Sequence, residues 1–337
     1  MIENRFLDEM KEGQDMLTYD YTVATTVYND EDNIISLIKN IEEQTVLPKE
    51  MIIADGGSKD CTVSAVKEYA LLCKFPIKVI YGERLNIAQG FNKAIREATT
   101  DFIGIVACGN HYCTNYFETL LKDFSKDISI LVTYSAIKYV GSTKFGKAYS
   151  LLSLKGKESV VCKVATNHGN ICKREIFNKY GYFYESFQYA GEDSEFFLRL
   201  NKEGAKMYGD SSIWVEWEIP NSYQELGKQI KHYVIADMEM YENITFLKGY
   251  IRKILYALCL PISAILMMFP NFGVKCVGLI LVGIFIYKSF KKLFEYGIEC
   301  WKIFNYREFY SVIIMIRNWR LFLKKNKIKQ INDFDFF

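Results

Sequence analysis

The stretch Met51–Thr62, MIIADGGSKDCT, constrains this chain more than any other. Met51–Ala54 is short and apolar enough for a buried parallel strand. Asp55, Gly56, Gly57, Ser58 and Asp60 then lead into helix-compatible sequence. Open α/β sheets bind ligands outside the carboxyl ends of their strands, which is where Asp55 falls. The glycines allow tight turning and close backbone approach, and Ser58 or Asp60 supplies a helix cap. A carboxylate on that rim is unsuited to phosphate but accepts hydrogen bonds from a base N–H or from ribose hydroxyls. Taken alone, Asp55 also reads as a turn residue.

An earlier apolar run, Tyr21–Tyr28, predicts another buried strand, followed by the cluster Asn29-Asp30-Glu31-Asp32-Asn33. Ile34, Leu37, Ile38 and Ile41 then fall on one face of a helix. Further strands are expected at Ile77–Tyr81, Asp101–Val106 and Ile128–Tyr134, with helices at Val63–Cys73 and from Tyr116 to Lys122. Ser135–Thr166 is irregular by pattern, with lysines interleaved among Tyr139, Phe145 and Tyr149. It reads as a solvated loop or as a mobile loop meeting an anionic acceptor.

A length of 337 residues admits one large domain with appendages or two modest ones. Lys and Arg number 42 against 40 acids, so no global basic field points to nucleic acid. Nine scattered cysteines with no C-x-x-C pair argue for reduced thiols rather than disulfides or structural zinc. Residues 1–20 carry early acids and no long apolar core, unlike a signal peptide.

The endings VYNDED and ADGGSKDCT, in the order strand, acidic turn, helix, strand, resemble the family 2 glycosyltransferases of the GT-A fold, over roughly residues 20–240. The resemblance implies a Rossmann-like α/β fold with a mostly parallel mixed sheet flanked by helices, Gly204–Trp217 being the last strand. It places Tyr28, Asn29, Asp30, Asp55 and Gly56 at the donor's base and ribose. Arg84, Gln89 and Asn92 are rim candidates in the segment that packs beside the nucleotide, with Cys108 and Asn110 further along. Where the family carries D-x-D, this chain has Ala107 and Gly109, neither of which ligates through a side chain. Asn110 and His111 are the remaining candidates for a divalent cation (Mg or Mn), His111 suiting manganese or zinc better than magnesium. Three explanations stand open: fewer protein ligands to the metal, no metal at all, or lost catalysis.

Asn167–Tyr184 resembles the family segment G-N-x-x-x-R-R-E-x-F that leads to the catalytic helix, placing Arg174 near phosphate. Gly191-Glu192-Asp193-Ser194-Glu195, followed by Arg199-Leu200, matches E-D-x-E-x-x-x-R-L. In inverting members the Asp of that pair is the general base, so Asp193 is the expected catalytic residue and Glu192 its neighbour. An inverting transfer needs one base to deprotonate the acceptor hydroxyl. Glu195 and Arg199, four apart, read as a helix-surface ion pair. Gln229, His232 and Tyr233 fall where relatives border the acceptor and diphosphate.

From Tyr250 the character changes. Ile254–Phe269 and Phe272–Tyr287 are apolar, separated by Pro270-Asn271 and flanked by Arg252, Lys253, Lys288, Lys291 and Lys292. Both outer ends cytoplasmic is what the positive-inside rule predicts for a hairpin, spanning or re-entrant. Tyr310–Lys325 suits an interfacial amphipathic helix. The expected plan is an extension (1–20), a GT-A domain (21–249), a membrane hairpin (250–293) and an amphipathic tail (294–337). The expected function is transfer of a sugar from a UDP- or GDP-linked donor to a lipid-linked or growing glycan at the cytoplasmic membrane face. A catalytically silent scaffold for partner subunits of a glycan-assembly system is the alternative.

Overall fold

The computed structural model describes residues 19–187, 189–240 and 244–323. Most of the expected N-terminal extension, and residues 324–337 of the expected tail, lie outside the described residues.

Strands β1 (Tyr21–Val27) and β2 (Glu50–Asp55) pair in parallel, with Val27 opposite Asp55. Helix α1 (Glu31–Glu42) connects them and buries Ile34, Leu37, Ile38 and Ile41, the expected apolar stripe. Helix α2 (Thr62–Ala70), β3 (Ile77–Ile80), α3 (Ile87–Glu97) and β4 (Phe102–Val106) complete a parallel half-sheet. Met51, Ile52, Ile53 and Ala54 are fully buried, as strands covered by helices on both faces require.

The other half is mixed. It comprises β5 (Asn110–Tyr112), α4 (Tyr116–Asp123), β6 (Ile130–Val140), α5 (Lys144–Ser153), β7 (Gly169–Lys173), α6 (Glu175–Tyr180), α7 (Glu192–Lys202), β8 (Lys206–Glu218) and α8 (Tyr223–Met240). Among the described residues the strand order is β3-β2-β1-β4-β7-β6-β8-β5. Strand β7 runs antiparallel to β4, with Val106 opposite Gly169. This register brings the start of β7 to the rim formed by the carboxyl ends of β1, β2 and β4.

The segment 135–166 is more regular than its pattern predicts. Strand β6 continues to Val140, and α5 begins at a Thr143 cap whose Oγ1 accepts from the Gly146 amide at 3.0 Å. Its lysines are the exposed face of an amphipathic helix, while Tyr149 and Leu152 are buried in a cluster with Leu226, Ile230, Ile303 and Phe304. The partners lie more than seventy residues downstream, so local pattern could not reveal the covered face.

Three helices follow: α9 (Ile244–Met267), α10 (Phe272–Tyr296) and α11 (Ile298–Arg317). The first two have 24 and 25 residues rather than the expected 16, because polar turns extend both apolar runs. At 1.5 Å per residue each is about 36 Å long, enough for a hydrocarbon core of about 30 Å. Only 22% and 11% of their apolar windows, Lys248–Met267 and Phe272–Tyr296, are buried. They are therefore candidate membrane spans rather than interior helices of the domain. Ser263 Oγ donates to the Gly278 carbonyl at 2.9 Å across the hairpin. Helix α11 is less interfacial than expected, since Cys300, Ile303, Phe304, Val312 and Met315 are buried.

Candidate active site

At the end of β1, Asn29 adopts a left-handed backbone (φ 48°). Its amide donates to Ser58 Oγ at 2.8 Å and its Oδ1 accepts from the Lys59 amide at 2.8 Å. The two turns are thereby fastened together. The Asp55 carboxylate is 2% exposed and accepts from the Gly57 and Ser58 amides, each at 3.0 Å on Oδ2. Asp55 thus shapes the turn, the role it shares with any capping acid. Gly57 has φ +86° and a Cβ there would lie 3.1 Å from the Glu83 carbonyl oxygen, so only glycine suits the crossing.

Beside this turn the Arg84 guanidinium lies 4.0 Å over the Tyr28 ring and donates to the Gly56 carbonyl at 3.3 Å. Both residues are exposed and form a flat π-faced surface on the rim. Asp30 is half-buried, and burial raises its carboxyl above the usual range. Its charge reaches Cys108, whose thiol is pushed up to about 12, chiefly by burial. Cys108 is therefore no nucleophile at neutral pH.

Across β4 the rim continues through the start of β7. Asn110 Nδ2 donates to the His168 carbonyl at 3.0 Å and lies 3.3 Å from His168 Nδ1. The imidazole packs on Trp217 with ring centroids 4.2 Å apart. Burial lowers its pKa to about 4 against an opposing pull from Asp193, so the ring is neutral at physiological pH. The preceding Asn167 amide donates to Asp193 Oδ2 at 3.3 Å, and Asn167 Nδ2 to Glu192 Oε1 at 3.4 Å. Asp193 Oδ1 accepts from the Ser194 amide at 2.7 Å. Both acids stand in the first turn of α7, where backbone N–H groups favour negative charge. Asp193 stays partly accessible, whereas Glu192 is 6% exposed. Burial, then the charge on Asp193, pushes the Glu192 carboxyl up to about 8. Hydrogen bonds and register therefore put Asp55 at the end of β2 and Asp193 beside the start of β7, strands that lie three spacings or about 14 Å apart on the same rim.

Two outcomes follow locally. Between pH 4.5 and 8 the folded state keeps the Glu192 proton that the unfolded chain has lost. Stability from this group is full below pH 4.5 and falls as pH rises toward 8, by about 1.4 kcal/mol per pH unit. Thermal melts at pH 5 and pH 8 should show that slope in the native chain and lose much of it in Glu192→Gln. Gly191, ahead of α7, has φ +99°, and a Cβ there would lie 3.1 Å from Ala236 Cβ. Gly191→Ala should cost about 1–3 kcal/mol in a denaturant midpoint and lower transfer by displacing Asp193.

Helix α8 carries Gln229, His232 and Tyr233, the residues expected on the acceptor side. Gln229 Oε1 accepts from the Tyr149 hydroxyl at 2.9 Å. His232 stacks on Tyr189 at 4.7 Å, nearly coplanar. Tyr233 is 45% exposed while its hydroxyl is crowded by protein. Burial first, then Tyr149 and Asp193, raises that phenol strongly.

Other expected site residues serve the scaffold. Arg174 donates through Nε to the Thr100 carbonyl at 2.7 Å and through Nη2 to that of Ala98. Those carbonyls precede β4, so the antiparallel course of β7 has carried Arg174 to the edge opposite the rim. Gln89 forms a capping box with Asn86 at the start of α3. Asn92, 1% exposed, pairs with the Phe183 backbone and donates to Glu185 at 2.8 Å. Glu195 and Arg199 are an internal clamp rather than a surface pair: Glu195 is 1% exposed and Arg199 also donates to the Tyr180 and Tyr182 carbonyls. His168 and Asn167 were not singled out in sequence. The tetrad NHGN was visible, but its place beside Asp193 depends on the antiparallel β4–β7 pairing.

The expected metal ligands do not converge. Asn110 is buried and His111 exposed on the same short strand, so they face opposite sides. Among the described residues no group of three His, Cys, Asp or Glu side chains could hold an ion. Asn110 Oδ1, a buried oxygen without a partner, is one neutral donor. This donor set does not fit a divalent cation held by protein side chains alone.

The mixed sheet with its flanking helices is that of the GT-A fold, and the known proteins to which the chain is similar are glycosyltransferases. Residues 22–184 match the model of glycosyl transferase family 2. The chain is 24% identical over 286 residues to the dolichyl N-acetyl-alpha-D-glucosaminyl phosphate 3-beta-D-2,3-diacetamido-2,3-dideoxy-beta-D-glucuronosyltransferase of Methanococcus voltae, covering 79% of this chain and 83% of that one. It is 26% identical over 123 residues to the putative glycosyltransferase EpsH of Bacillus subtilis (strain 168), spanning only 36% of each. The mannosyltransferase PcManGT from Pyrobaculum calidifontis, solved in complex with GDP-Man and Mn2+, shares the fold with a TM-score of 0.60 at 17% identity, over 94% of this chain and 93% of that one. Through residues 22–184, just under half of its length, the chain is therefore similar to glycosyl transferase family 2.

Proposed function

We propose that this protein is an inverting glycosyltransferase, passing a sugar from a UDP- or GDP-linked donor to a lipid-linked or growing glycan acceptor at the cytoplasmic face of a membrane. The observation that carries the reading is the shared rim, with the turn of Asp55 at the end of β2 and Asp193 beside the start of β7. The base rests against Tyr28 and Arg84, with Asn29, Asp30 and the Asp55 turn around base and ribose. Asp193 takes the proton of the acceptor hydroxyl as its oxygen attacks the anomeric carbon. The bond from that carbon to the diphosphate oxygen breaks, and the nucleoside diphosphate leaves with the electron pair. A single displacement from the opposite face inverts the configuration. Glu192, kept protonated by burial, does not compete as the base. The buried oxygens Asn110 Oδ1 and Asn167 Oδ1, both without partners, are acceptors for sugar hydroxyls.

Support for the acceptor and its location comes from the apolar hairpin and from the Methanococcus relative, which is named for a dolichyl phosphate-linked sugar. Anchoring enzyme and acceptor in one surface raises their effective concentration. The test is release of nucleoside diphosphate by the full chain in nanodiscs, with a donor panel and a lipid-linked sugar. Release that depends on the acceptor is expected. Nucleotide binding with no transfer, indifferent to Asp193→Asn, would overturn the reading in favour of a silent subunit.

A further inference from the structure

Helices α9 and α10 are each long enough to cross a bilayer, but α11 lies across both of them part-way along. Trp301 Nε1 donates to Ser289 Oγ of α10 at 2.8 Å. One turn on, Asn305 Oδ1 accepts from Ser289 Oγ at 3.2 Å and from the Tyr256 hydroxyl of α9 at 2.6 Å. Further along α11, the buried Glu308 carboxylate is 3.2 Å from Lys288 Nζ, and Ser311 Oγ accepts from Lys253 Nζ at 3.2 Å. The Tyr256 and Phe285 rings stack with centroids 5.0 Å apart, so these levels of the two arms stand side by side. Helix α11 therefore crosses the hairpin like a bar, from Ser289 on one arm to Lys253 on the other.

On the domain side of this bar the arms belong to the protein interior. Tyr250 donates to Asp237 of α8 at 3.1 Å, and Tyr250 and Tyr296 pack in the cluster that holds Leu226 and Ile303. Charge marks the level of the bar itself, where Arg252 and Lys291 are exposed beside Lys253 and Lys288. Exposed cations are costly within hydrocarbon and suit anionic headgroups, so the bar lies at the membrane surface.

Beyond the bar each arm has 13 residues left, 257–269 and 272–284. At 1.5 Å per residue that free prong is about 20 Å long, against a hydrocarbon core of about 30 Å. Its arms hold each other through Ser263 Oγ and the Gly278 carbonyl at 2.9 Å. Its tip is apolar, with Met268 84% and Phe272 80% exposed. Asn271, the polar side chain of the turn, is spent on capping α10, since its Oδ1 accepts from the Val274 amide at 3.2 Å. A turn that emerged into water would leave this apolar tip wetted.

We propose that the hairpin is a re-entrant prong that enters the bilayer from the domain's side, passes the midplane and ends among the acyl chains, with α11 lying on the surface it entered. Lys275, the one charge between Leu255 and Tyr287, stands one turn from the tip. Its long stem carries the ammonium toward the opposite headgroups. The placement stands on these helices alone and goes beyond the transfer reaction.

Depth-dependent quenching tests it, with the full chain reconstituted in vesicles whose lipids carry bromine either near the headgroup or near the acyl-chain ends. Met268→Trp adds a fluorophore at the tip, and its emission is read as the increment over the native chain. Bromine near the chain ends should quench that increment about twofold or more over bromine near the headgroup, because the tip ends inside the core. Phe290→Trp, at the level of the bar, should show the reverse order. Phe272→Trp, which keeps an aromatic ring at the tip, decides the matter if Met268→Trp misfolds. Stronger quenching of the tip by bromine near the headgroup would overturn the proposal in favour of a full span. No added quenching at the tip from either lipid would overturn it by placing the hairpin outside the bilayer.

Discussion

Asp193→Asn should lower the transfer rate by about 10²–10⁴-fold, the range expected for loss of a positioned general base, while UDP or GDP affinity stays within about twofold. The substitution preserves shape and leaves an oxygen for the Ser194 amide, which the native side chain holds at 2.7 Å. It removes the acceptor for the incoming proton. The fall should appear in kcat, because the interaction is made in the transition state rather than with bound donor. Turnover assays beside nucleotide titrations check both halves. A variant of near-native turnover would move the base elsewhere.

Arg199→Ala should destabilise the fold by about 3–5 kcal/mol, as removal of one partner from a buried ion pair does. Arg199 meets Glu195 through two hydrogen bonds, at 2.8 and 3.2 Å, and holds the Tyr180 and Tyr182 carbonyls against α7. Its loss strands the Glu195 carboxylate and four hydrogen bonds in the interior. Arg199→Lys should recover only part, since an ammonium lacks the planar fork. Replacing both partners, Arg199→Met with Glu195→Leu, should recover much of the loss, because no charge is then left buried. Denaturant midpoints separate these cases. A loss under about 1 kcal/mol for Arg199→Ala would mark the pair as an ordinary surface contact.

The parallel half of the sheet was legible because its signals are short-range. Apolar runs, the Ile34–Ile41 stripe and the Asp-Gly-Gly turn each declare themselves within a dozen residues. Asp193 stood out through a compact motif in one helix turn. What escaped depends on pairing direction and on distant partners. Arg174 sits in the same matched segment as the rim residues Asn167 and His168, yet the antiparallel β7 carries it to the far edge. Glu195 and Arg199 have the spacing of a surface pair, and only the loop at Tyr180–Tyr182 folding over them makes the pair internal. Asn92 and Gln89 fell in a donor-facing segment, but Gln89 caps its own helix while Asn92 binds the backbone of Phe183, 91 residues away. Helices α5 and α11 meet through Cys300 and the Ala148 carbonyl across 152 residues, beyond any pattern along the chain.

The central claim is that a nucleotide sugar lies along one rim with its anomeric carbon toward Asp193. A structure of the full chain with a non-hydrolysable donor analogue measures it directly. The account predicts the base beside Tyr28 and Arg84, and the anomeric carbon about 5–6 Å from the Asp193 carboxylate. That leaves room for one hydroxyl at hydrogen-bond reach of the base and about 3–3.5 Å from the carbon. A donor bound with its sugar turned away from Asp193, or bound outside the rim, would contradict it.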